Sequence, residues 1–169
     1  MIRIIAGVLA IILSCMAILQ ANDLGHSPLF KVERSKNANI IQYDAQIGPN
    51  GKLDRKKPVN VYWVRLAEQG QIKPLSWIQK KFAYGFKVRF DHGSDSVIMD
   101  MAADIGQPIR VERDGATYRA VVDIGGTPSR LIKVFINATD KGFFKKVNYV
   151  EFYGTALATG EETYIRFVP

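Results

Sequence analysis

Six polar and aromatic residues of this 169-residue chain could together form a binding pocket. Arginine and asparagine side chains donate hydrogen bonds to anions and carbonyl groups, and tyrosine and tryptophan rings supply apolar walls that carry a polar group. Such a mixture is typical of small-ligand sites. The predicted ligand-binding residues are Arg34, Asn39, Tyr43, Tyr62, Trp63 and Tyr84. The alternative is that they form a polar outer face and an internal hydrogen-bond network.

A second group of residues combines aromatic rings with lysines. Aromatic faces beside cations can stack on sugars or hold an anionic head group, and a basic, aromatic hairpin tip can dip into an anionic membrane surface. Alternatively, the rings cap one end of the fold while the lysines are solvated. The predicted basic-aromatic surface comprises Trp77, Lys80 and Lys81, with Phe143, Phe144, Lys145 and Lys146 at a hairpin tip.

A run of carboxylates with one histidine resembles a divalent-cation site. Its members are Asp91, His92, Asp95, Asp100 and Asp104. The segment from Asp91 to Asp95 also has the composition of a turn between strands, and the two later aspartates fall on the polar side of an alternating segment. We therefore predict a turn here, with no metal site and no cofactor.

Most known catalytic mechanisms that depend on histidine are excluded. The chain has 2 histidines, His26 and His92. It contains no Gly-x-Ser-x-Gly elbow, zinc-binding spacing, phosphate loop or dinucleotide fingerprint. Two carboxylates from distant strands could still hydrolyse a glycosidic bond. An enzyme with such a pair on a barrel rim therefore remains an alternative, and the sequence does not specify its catalytic residues.

The elements that must position these residues are strands. Apolar and polar side chains alternate along most of the chain, with Gly, Asp, Asn and Pro between the alternating runs, which is typical of antiparallel strands with one buried face. We predict an all-β fold, an antiparallel meander of nine to ten strands that forms a barrel or a two-sheet sandwich, with one short helix near 74–83. The expected strands outside the central hairpins are 29–35, 38–47, 59–66, 86–91, 96–102 and 162–168.

Three turns set the expected register of the central strands. The loops are Asp114–Gly115, Gly125–Thr127 and Lys141–Gly142. The resulting partners are Val111 with Tyr118, Ala120 with Ile132, and Ile136 with Val147. All three registers separate apolar from polar side chains, as a correct register should.

The first 21 residues have the pattern of a secretory signal peptide. Arg3 supplies the positive start, an apolar run extends from Ile4 to Leu19, and the small Ala21 precedes the expected cleavage. The run is shorter than the roughly 20 apolar residues of a membrane-spanning helix. A lipid on Cys15 is the remaining alternative. The protein is therefore expected to be periplasmic or secreted, or else lipid-anchored.

Cleavage after residue 21 would leave a flexible arm at 22–27 and a single β domain at 28–169. Loss of Arg3 leaves 22 basic and 16 acidic side chains, a net charge of +6, and Cys15 is the chain's one cysteine. A positive surplus favours anionic partners, and export makes nucleic acid the least expected of them. A small molecule or an anionic envelope polymer is the expected partner, and membrane contact is expected to be peripheral or through lipidated Cys15.

Three segments resemble a family of exported bacterial proteins, the domain of unknown function 4833. They are residues 26–39, 61–65 and 77–86, which read HSPLFKVERSKNAN, VYWVR and WIQKKFAYGF. The resemblance implies an exported bacterial single domain and assigns no activity or site residue. Our first hypothesis is a non-catalytic binding module in the bacterial envelope. The second is an envelope hydrolase that uses two carboxylates.

Overall fold

A computed structural model describes residues 25–103, 105–141 and 144–168, and strands make up most of this part of the chain. Eleven strands are found there, and they form one sheet. Their bounds are β1 His26–Arg34, β2 Asn37–Gln46, β3 Val59–Arg65, β4 Gln71–Pro74, β5 Phe86–Phe90, β6 Val97–Met101, β7 Ile109–Asp114, β8 Thr117–Ile124, β9 Thr127–Lys141, β10 Phe144–Ala156 and β11 Glu162–Phe167. The predicted all-β class is confirmed.

The sheet curls into a half-barrel. Its strand order is β4-β3-β2-β1-β9-β8-β7-β6-β5, and β10 pairs with β9 and with β11 off this path. In the described residues the edge strands β4 and β5 do not pair with each other. β1 and β9 run parallel, with Val32 opposite Val134. The expected purely antiparallel meander is therefore wrong at this pairing.

The parallel pairing arises because β9 is long enough to serve two neighbours. Its first residues pair with β8 and its later residues pair with β1, while β10 follows it on the other side. Where β8 no longer has β9 beside it, the Ser27 hydroxyl accepts from the Tyr118 backbone N–H at 3.1 Å and donates to the Tyr118 carbonyl at 3.3 Å. β1 thus begins at His26 and includes the last two residues of the segment expected to be an arm.

Alternation along the strands places one apolar face in the core. In β7 and β8, Val111 and Ala120 lie opposite one another and are fully buried. On the other face, the Arg119 guanidinium donates to Glu112, with Nη2 at 2.7 Å from Oε1. The predicted partition of apolar and polar residues holds in this hairpin.

The expected register of the same hairpin is wrong by two residues. Asp114 pairs with Thr117, so the loop consists of Gly115 and Ala116, and Gly115 supplies the positive φ of 62° at its first position. Val111 therefore faces Ala120 instead of Tyr118. A shift of two residues keeps each side chain on its face, so the polarity pattern could not detect it.

The other two expected registers are also wrong. Gly125 and Gly126 form a two-residue loop, and Ile136 faces Val150 instead of Val147. Ile132, expected to be in the core, is 48% exposed. The β9–β10 register shifts by one residue at this position, as in a β-bulge, and the shift returns Val134 to the buried face.

The connection between β4 and β5 contains a short α-helix, α1, Trp77–Gln79, which continues as a π-type turn over Lys80–Tyr84. The Ser76 hydroxyl accepts from the Gln79 N–H, and the Gln79 side chain accepts from the Ser76 N–H, which completes a capping box. A short helix was predicted here, but Pro74 belongs to β4, and two residues expected to face the core, Ile78 and Phe82, are exposed. In the described part of the chain no helix is long and apolar enough to cross a membrane.

Asp95 fixes the loop between β2 and β3 against the sheet. Its carboxylate accepts from the Leu53 backbone N–H at 3.0 Å, from Arg113 Nη2 at 2.9 Å and from the Tyr118 hydroxyl. Burial by itself raises the pKa of Asp95, but these three hydrogen bonds outweigh burial and hold that pKa below its usual range. Leu53 is 2% exposed as a result and joins the core.

We expect Asp95→Asn to lower the free energy of unfolding at pH 7 by about 2 kcal/mol, because it removes charged hydrogen bonds. A carboxyl group whose folded pKa is lowered stabilises the protein above its unfolded pKa, here near 3.8, and this stabilisation is lost as the pH falls through the lower folded value. Urea unfolding of both proteins at pH 7 and pH 3 measures the effect. The gap between them should narrow at pH 3, and an equal gap at both values would contradict the assignment.

Gly154 occupies a point of close contact between β10 and its neighbours. A Cβ added there would lie 2.6 Å from the Arg130 carbonyl oxygen and 2.7 Å from Ile124 Cδ1. We expect Gly154→Ala to destabilise the fold by about 2 kcal/mol, as overpacking does. Gly25→Ala is the matched control, because a Cβ there meets nothing within 4 Å. If both variants have the same midpoint of thermal unfolding as the parent protein, the neighbouring strands make room for the added Cβ at no cost in stability, and the prediction is wrong.

Candidate functional site

The concave face of the half-barrel encloses an apolar cavity of about 250 Å³. Its walls come from seven strands, from the π-type turn and from the segment between β6 and β7. None of the described residues that line it is charged. They are Phe30, Val32, Tyr43, Ala83, Tyr84, Met101, Ala103, Ile105, Ile109, Val134, Ile136, Val147, Val150, Phe152 and Phe167. A cavity with such walls can bind the apolar part of a ligand.

Tyr43 contributes its ring to this cavity while its hydroxyl is engaged elsewhere. The ring stacks on Phe30 with centroids 4.4 Å apart, and the hydroxyl donates to the Tyr84 backbone carbonyl at 2.8 Å. Burial raises the pKa of Tyr43 far above its usual range. Tyr43 therefore shapes the cavity and ties the π-type turn to it, and it does not supply a polar contact inside.

Arg34 does not itself line the cavity but lies between two aromatic rings, one of which, Tyr84, belongs to the cavity wall. Its guanidinium carbon is 5.3 Å from the Trp63 ring centre and 5.6 Å from that of Tyr84. β1 positions Arg34 there because its register partner Ile136 and its near neighbour Val32 both line the cavity. Of the predicted ligand-binding residues, Arg34, Trp63 and Tyr84 thus come together as expected. We call these three residues the arginine site.

Two hydrogen-bond donors of the arginine site are buried without an acceptor among the described residues. They are Arg34 Nε and Trp63 Nε1. Arg34 Nη2 makes a long contact of 3.5 Å with Asn37 Oδ1. Burial raises the pKa of Tyr84, and the positive charge of Arg34 offsets part of the increase. Buried donors without acceptors are rare in folded proteins, so this site has the chemistry to receive an anionic acceptor.

The structure places the other two predicted ligand-binding residues away from the arginine site. Tyr62 points to the opposite face of β3 from Trp63, as neighbouring strand residues do, and its hydroxyl donates to Asp44 Oδ2 at 2.5 Å. Asn39 lies near the start of β2, where its backbone N–H donates to the Asn37 side chain at 3.2 Å. No contact of the described residues joins either one to the cavity.

The predicted basic-aromatic surface is divided. Trp77, Lys80 and Lys81 line a cleft of about 520 Å³ between β3 and β5. Lys56 and Lys57 from the β2–β3 loop line the same cleft, although sequence reasoning had not joined them to it. Lys146 lies on β10 opposite Thr139. Phe143 lies outside the described residues, as do the side chains of Phe144 and Lys145.

The predicted turn over 91–95 lies between β5 and β6, and its residues make structural contacts. The Ser94 N–H donates to the Asp91 carbonyl at 3.3 Å, and the Asp100 carboxylate lies 3.6 Å from Arg89. Asp104 lies outside the described residues. Among those that are described, no three His, Cys, Asp or Glu residues form a group that could hold a metal ion.

A polar cluster on the outer face was missed by sequence reasoning. Glu151 of β10 is 5% exposed and accepts from the Tyr153 and Tyr164 hydroxyls, both at 2.8 Å, and from Arg166 at 2.7 Å. Hydrogen bonds from Tyr153 and then from Arg166 and Tyr164 hold the pKa of Glu151 below its usual range. The alternation of Tyr149, Glu151 and Tyr153 is a signal in the sequence, but the partners on β11 depend on a register that it does not reveal.

These observations define an all-β half-barrel built around an apolar cavity with a cation beside its wall. Residues 30–166 match the family described as Domain of unknown function (DUF4833), and the chain belongs to this family. The family resemblance found in the sequence is thereby confirmed. Searches of curated proteins and of solved structures gave no match.

The two arginines Arg34 and Arg113 should differ in their effect on stability. Arg113 donates to Asp95, to the Gly51 carbonyl and to Tyr118, so Arg113→Met should lower the free energy of unfolding by about 2 kcal/mol. Arg34→Met loses two aromatic contacts but removes a buried donor that has no acceptor, and we expect a change within about 0.5 kcal/mol. Urea unfolding without ligand measures both. A large loss for Arg34→Met would mean that the residue is structural.

Proposed function

We propose that this protein is a non-catalytic binding module that takes the apolar part of a small anionic molecule into the half-barrel cavity. The observation that carries the proposal is the position of Arg34, whose guanidinium contacts the cavity-lining Tyr84 and whose buried Nε has no acceptor among the described residues. A ligand with a carboxylate at one end and an acyl chain at the other matches both parts. The ligand carboxylate would accept hydrogen bonds from Arg34 and from Trp63 Nε1. The acyl chain would enter the apolar cavity, where it displaces no polar contact.

The cavity volume limits the size of the ligand. Cavities of roughly 150 Å³ lined by Leu, Ile and Phe bind a benzene ring, and drug-sized pockets begin at about 300 Å³. At about 250 Å³, this cavity suits a medium-length acyl chain. Enclosure by the sheet favours such a ligand over an extended anionic polymer.

The proposed location is the bacterial envelope, reached through a signal peptide that is cleaved after Ala21, with a lipid on Cys15 as the alternative. β1 begins at His26, so that cleavage would remove no residue of the described sheet. The exported, bacterial character of the resembling family supports the same location.

The alternative of an envelope hydrolase gains no support from the described carboxylates. Within the described ranges, no carboxylate lines the cavity. Glu112 and Asp114 are neighbours on the surface of β7, where both contact the same Arg119 guanidinium instead of facing each other across a cleft. Glu112 and Asp114 therefore do not form the pair that a glycosidase places on the two sides of a scissile bond.

Titration calorimetry with decanoate and with decanol tests the proposal. We expect the purified protein to bind decanoate more tightly than decanol, because the carboxylate adds charged hydrogen bonds at the arginine site. Arg34→Met should weaken decanoate binding by at least about tenfold, equivalent to about 1.4 kcal/mol, and leave decanol binding nearly unchanged. Arg110→Met is the matched control, since Arg110 is exposed on β7 and does not line the cavity.

Ala83→Leu tests the cavity separately from the arginine site. Ala83 lies on the π-type turn and lines the cavity, so a larger side chain there should reduce the binding of both probes. If neither probe binds the parent protein, the proposed function is wrong. If decanol binds as tightly as decanoate, the cavity binds ligands but the role given to Arg34 is wrong.

A further inference from the structure

The turn between β4 and β5 carries three large apolar side chains in solvent. Trp77 is 67% exposed, Ile78 is 54% exposed and Phe82 is 64% exposed. Their clustering on one short turn is unusual, because soluble surfaces normally scatter such residues singly. The capping box at Ser76 fixes the start of the turn, so these side chains are presented by an ordered element.

Four lysines adjoin these apolar side chains. Lys56, Lys57, Lys80 and Lys81 line the cleft beside Trp77, and no carboxylate lines it. The Asp54 carboxylate lies near one of them: it attracts Lys56 and accepts from the Lys56 and Lys57 backbone N–H groups at 2.7 Å and 3.1 Å. Lys81 Nζ lies 5.9 Å from the Trp77 ring centre and 5.2 Å from that of Phe82. Positive charge and exposed aromatic surface are therefore interleaved within one small patch.

We propose that this patch, Trp77 to Phe82 with the lysine cleft, docks on the surface of an anionic phospholipid bilayer. Indole rings favour the interface between head groups and acyl chains, and each lysine near an anionic surface adds to the attraction. The patch is one turn and one cleft wide, which is small for a stable protein interface of about 800 Å² per partner. A bilayer needs no matching shape, so a small protruding patch is enough.

Docking here would also place the cavity beside the membrane. The turn that carries Trp77 and Phe82 continues into Ala83 and Tyr84, which line the cavity. Because Tyr84 follows Phe82 by two positions, a ligand that leaves the bilayer at the docking patch would reach the arginine site nearby. The docking proposal does not rest on ligand binding, because the patch and its charges exist without a ligand.

Tryptophan fluorescence with vesicles tests docking. The chain has 2 tryptophans, Trp63 and Trp77, so the variant Trp63→Phe reports on Trp77 alone. We expect its emission to shift to shorter wavelength when vesicles of about 30% phosphatidylglycerol in phosphatidylcholine are added. The affinity for vesicles of pure phosphatidylcholine should be about tenfold lower, and high salt should weaken binding to the anionic vesicles. Brominated acyl chains should quench it. This content of anionic lipid gives the vesicles a negative surface charge roughly like that of a biological membrane.

Variants separate the contributions of charge and of apolar surface. In vesicle sedimentation, Lys80→Glu with Lys81→Glu should weaken binding by at least about tenfold, and Trp77→Ser should do so by about the same factor. Arg110→Glu and Ile132→Ser are the controls, because they alter an exposed cation and an exposed apolar residue outside the patch. Circular dichroism confirms that every variant is folded.

Three results would overturn docking on a bilayer. One is equal binding to both vesicle types, and another is full binding by Trp77→Ser. The third is charge-dependent binding without quenching by brominated chains, together with equally strong binding of soluble dextran sulfate. That last result would assign the patch to an anionic polymer in solution. None of these outcomes bears on decanoate binding, so the two proposals fail independently.

Discussion

The hydrogen bond from the Tyr43 hydroxyl to the Tyr84 carbonyl, 2.8 Å long, holds together the part of the molecule on which the cavity depends. The sheet curls but leaves β4 and β5 as unpaired edges, and the chain between them must span the open side. Gly85 permits this path, since a Cβ there would lie 1.9 Å from the Lys80 carbonyl oxygen. The Gly85 carbonyl in turn accepts from the Ala102 N–H at 2.7 Å, which joins the span to the end of β6. Without these contacts, Tyr84 would lie neither over the cavity nor beside Arg34.

A half-barrel that keeps a cavity has less apolar packing than one that is filled, so other contacts must hold its outer parts. Two carboxylates, the half-buried Asp95 and the buried Glu151, do this at different places. Asp95 joins a loop to β7 and β8, and Glu151 joins β10 to β11. One arginine donates to each carboxylate, together with one tyrosine hydroxyl at Asp95 and two at Glu151, and these hydrogen bonds offset the desolvation of the charge. Arg34 differs from Arg113 and Arg166 in lacking such a carboxylate, and this contrast distinguishes an arginine available to a ligand from two that stabilise the fold.

Sequence reasoning found the strands and the polarity of their faces because both depend on local, two-residue alternation. It failed to predict strand register, because register depends on the exact number of residues in each loop and bulge. The hairpin at Gly115 is shifted by two, which alternation cannot detect, and the irregularity at Ile132 reverses the inside and outside of one segment. The parallel pairing of β1 with β9 joins residues about a hundred positions apart, and no local pattern encodes such a contact. Residue type was enough to name Arg34, Trp63 and Tyr84 as candidates for one site, but it could not show which of the neighbours Tyr62 and Trp63 would face Arg34.

The same turn contributes to both proposed activities, and this has a mechanical consequence. Lys80 to Tyr84 form a π-type turn, a geometry found more often at functional sites than in ordinary connections. Its outer residues are the exposed ring of Phe82 and the lysines, and its inner residues, Ala83 and Tyr84, contact the cavity and Arg34. Movement of the outer residues would therefore act directly on the wall of the cavity, where the Tyr43 hydroxyl donates to the Tyr84 carbonyl. The Tyr43 hydroxyl and the contact of Arg34 with Tyr84 are therefore the interactions that join movement of this turn to the cavity and the arginine site.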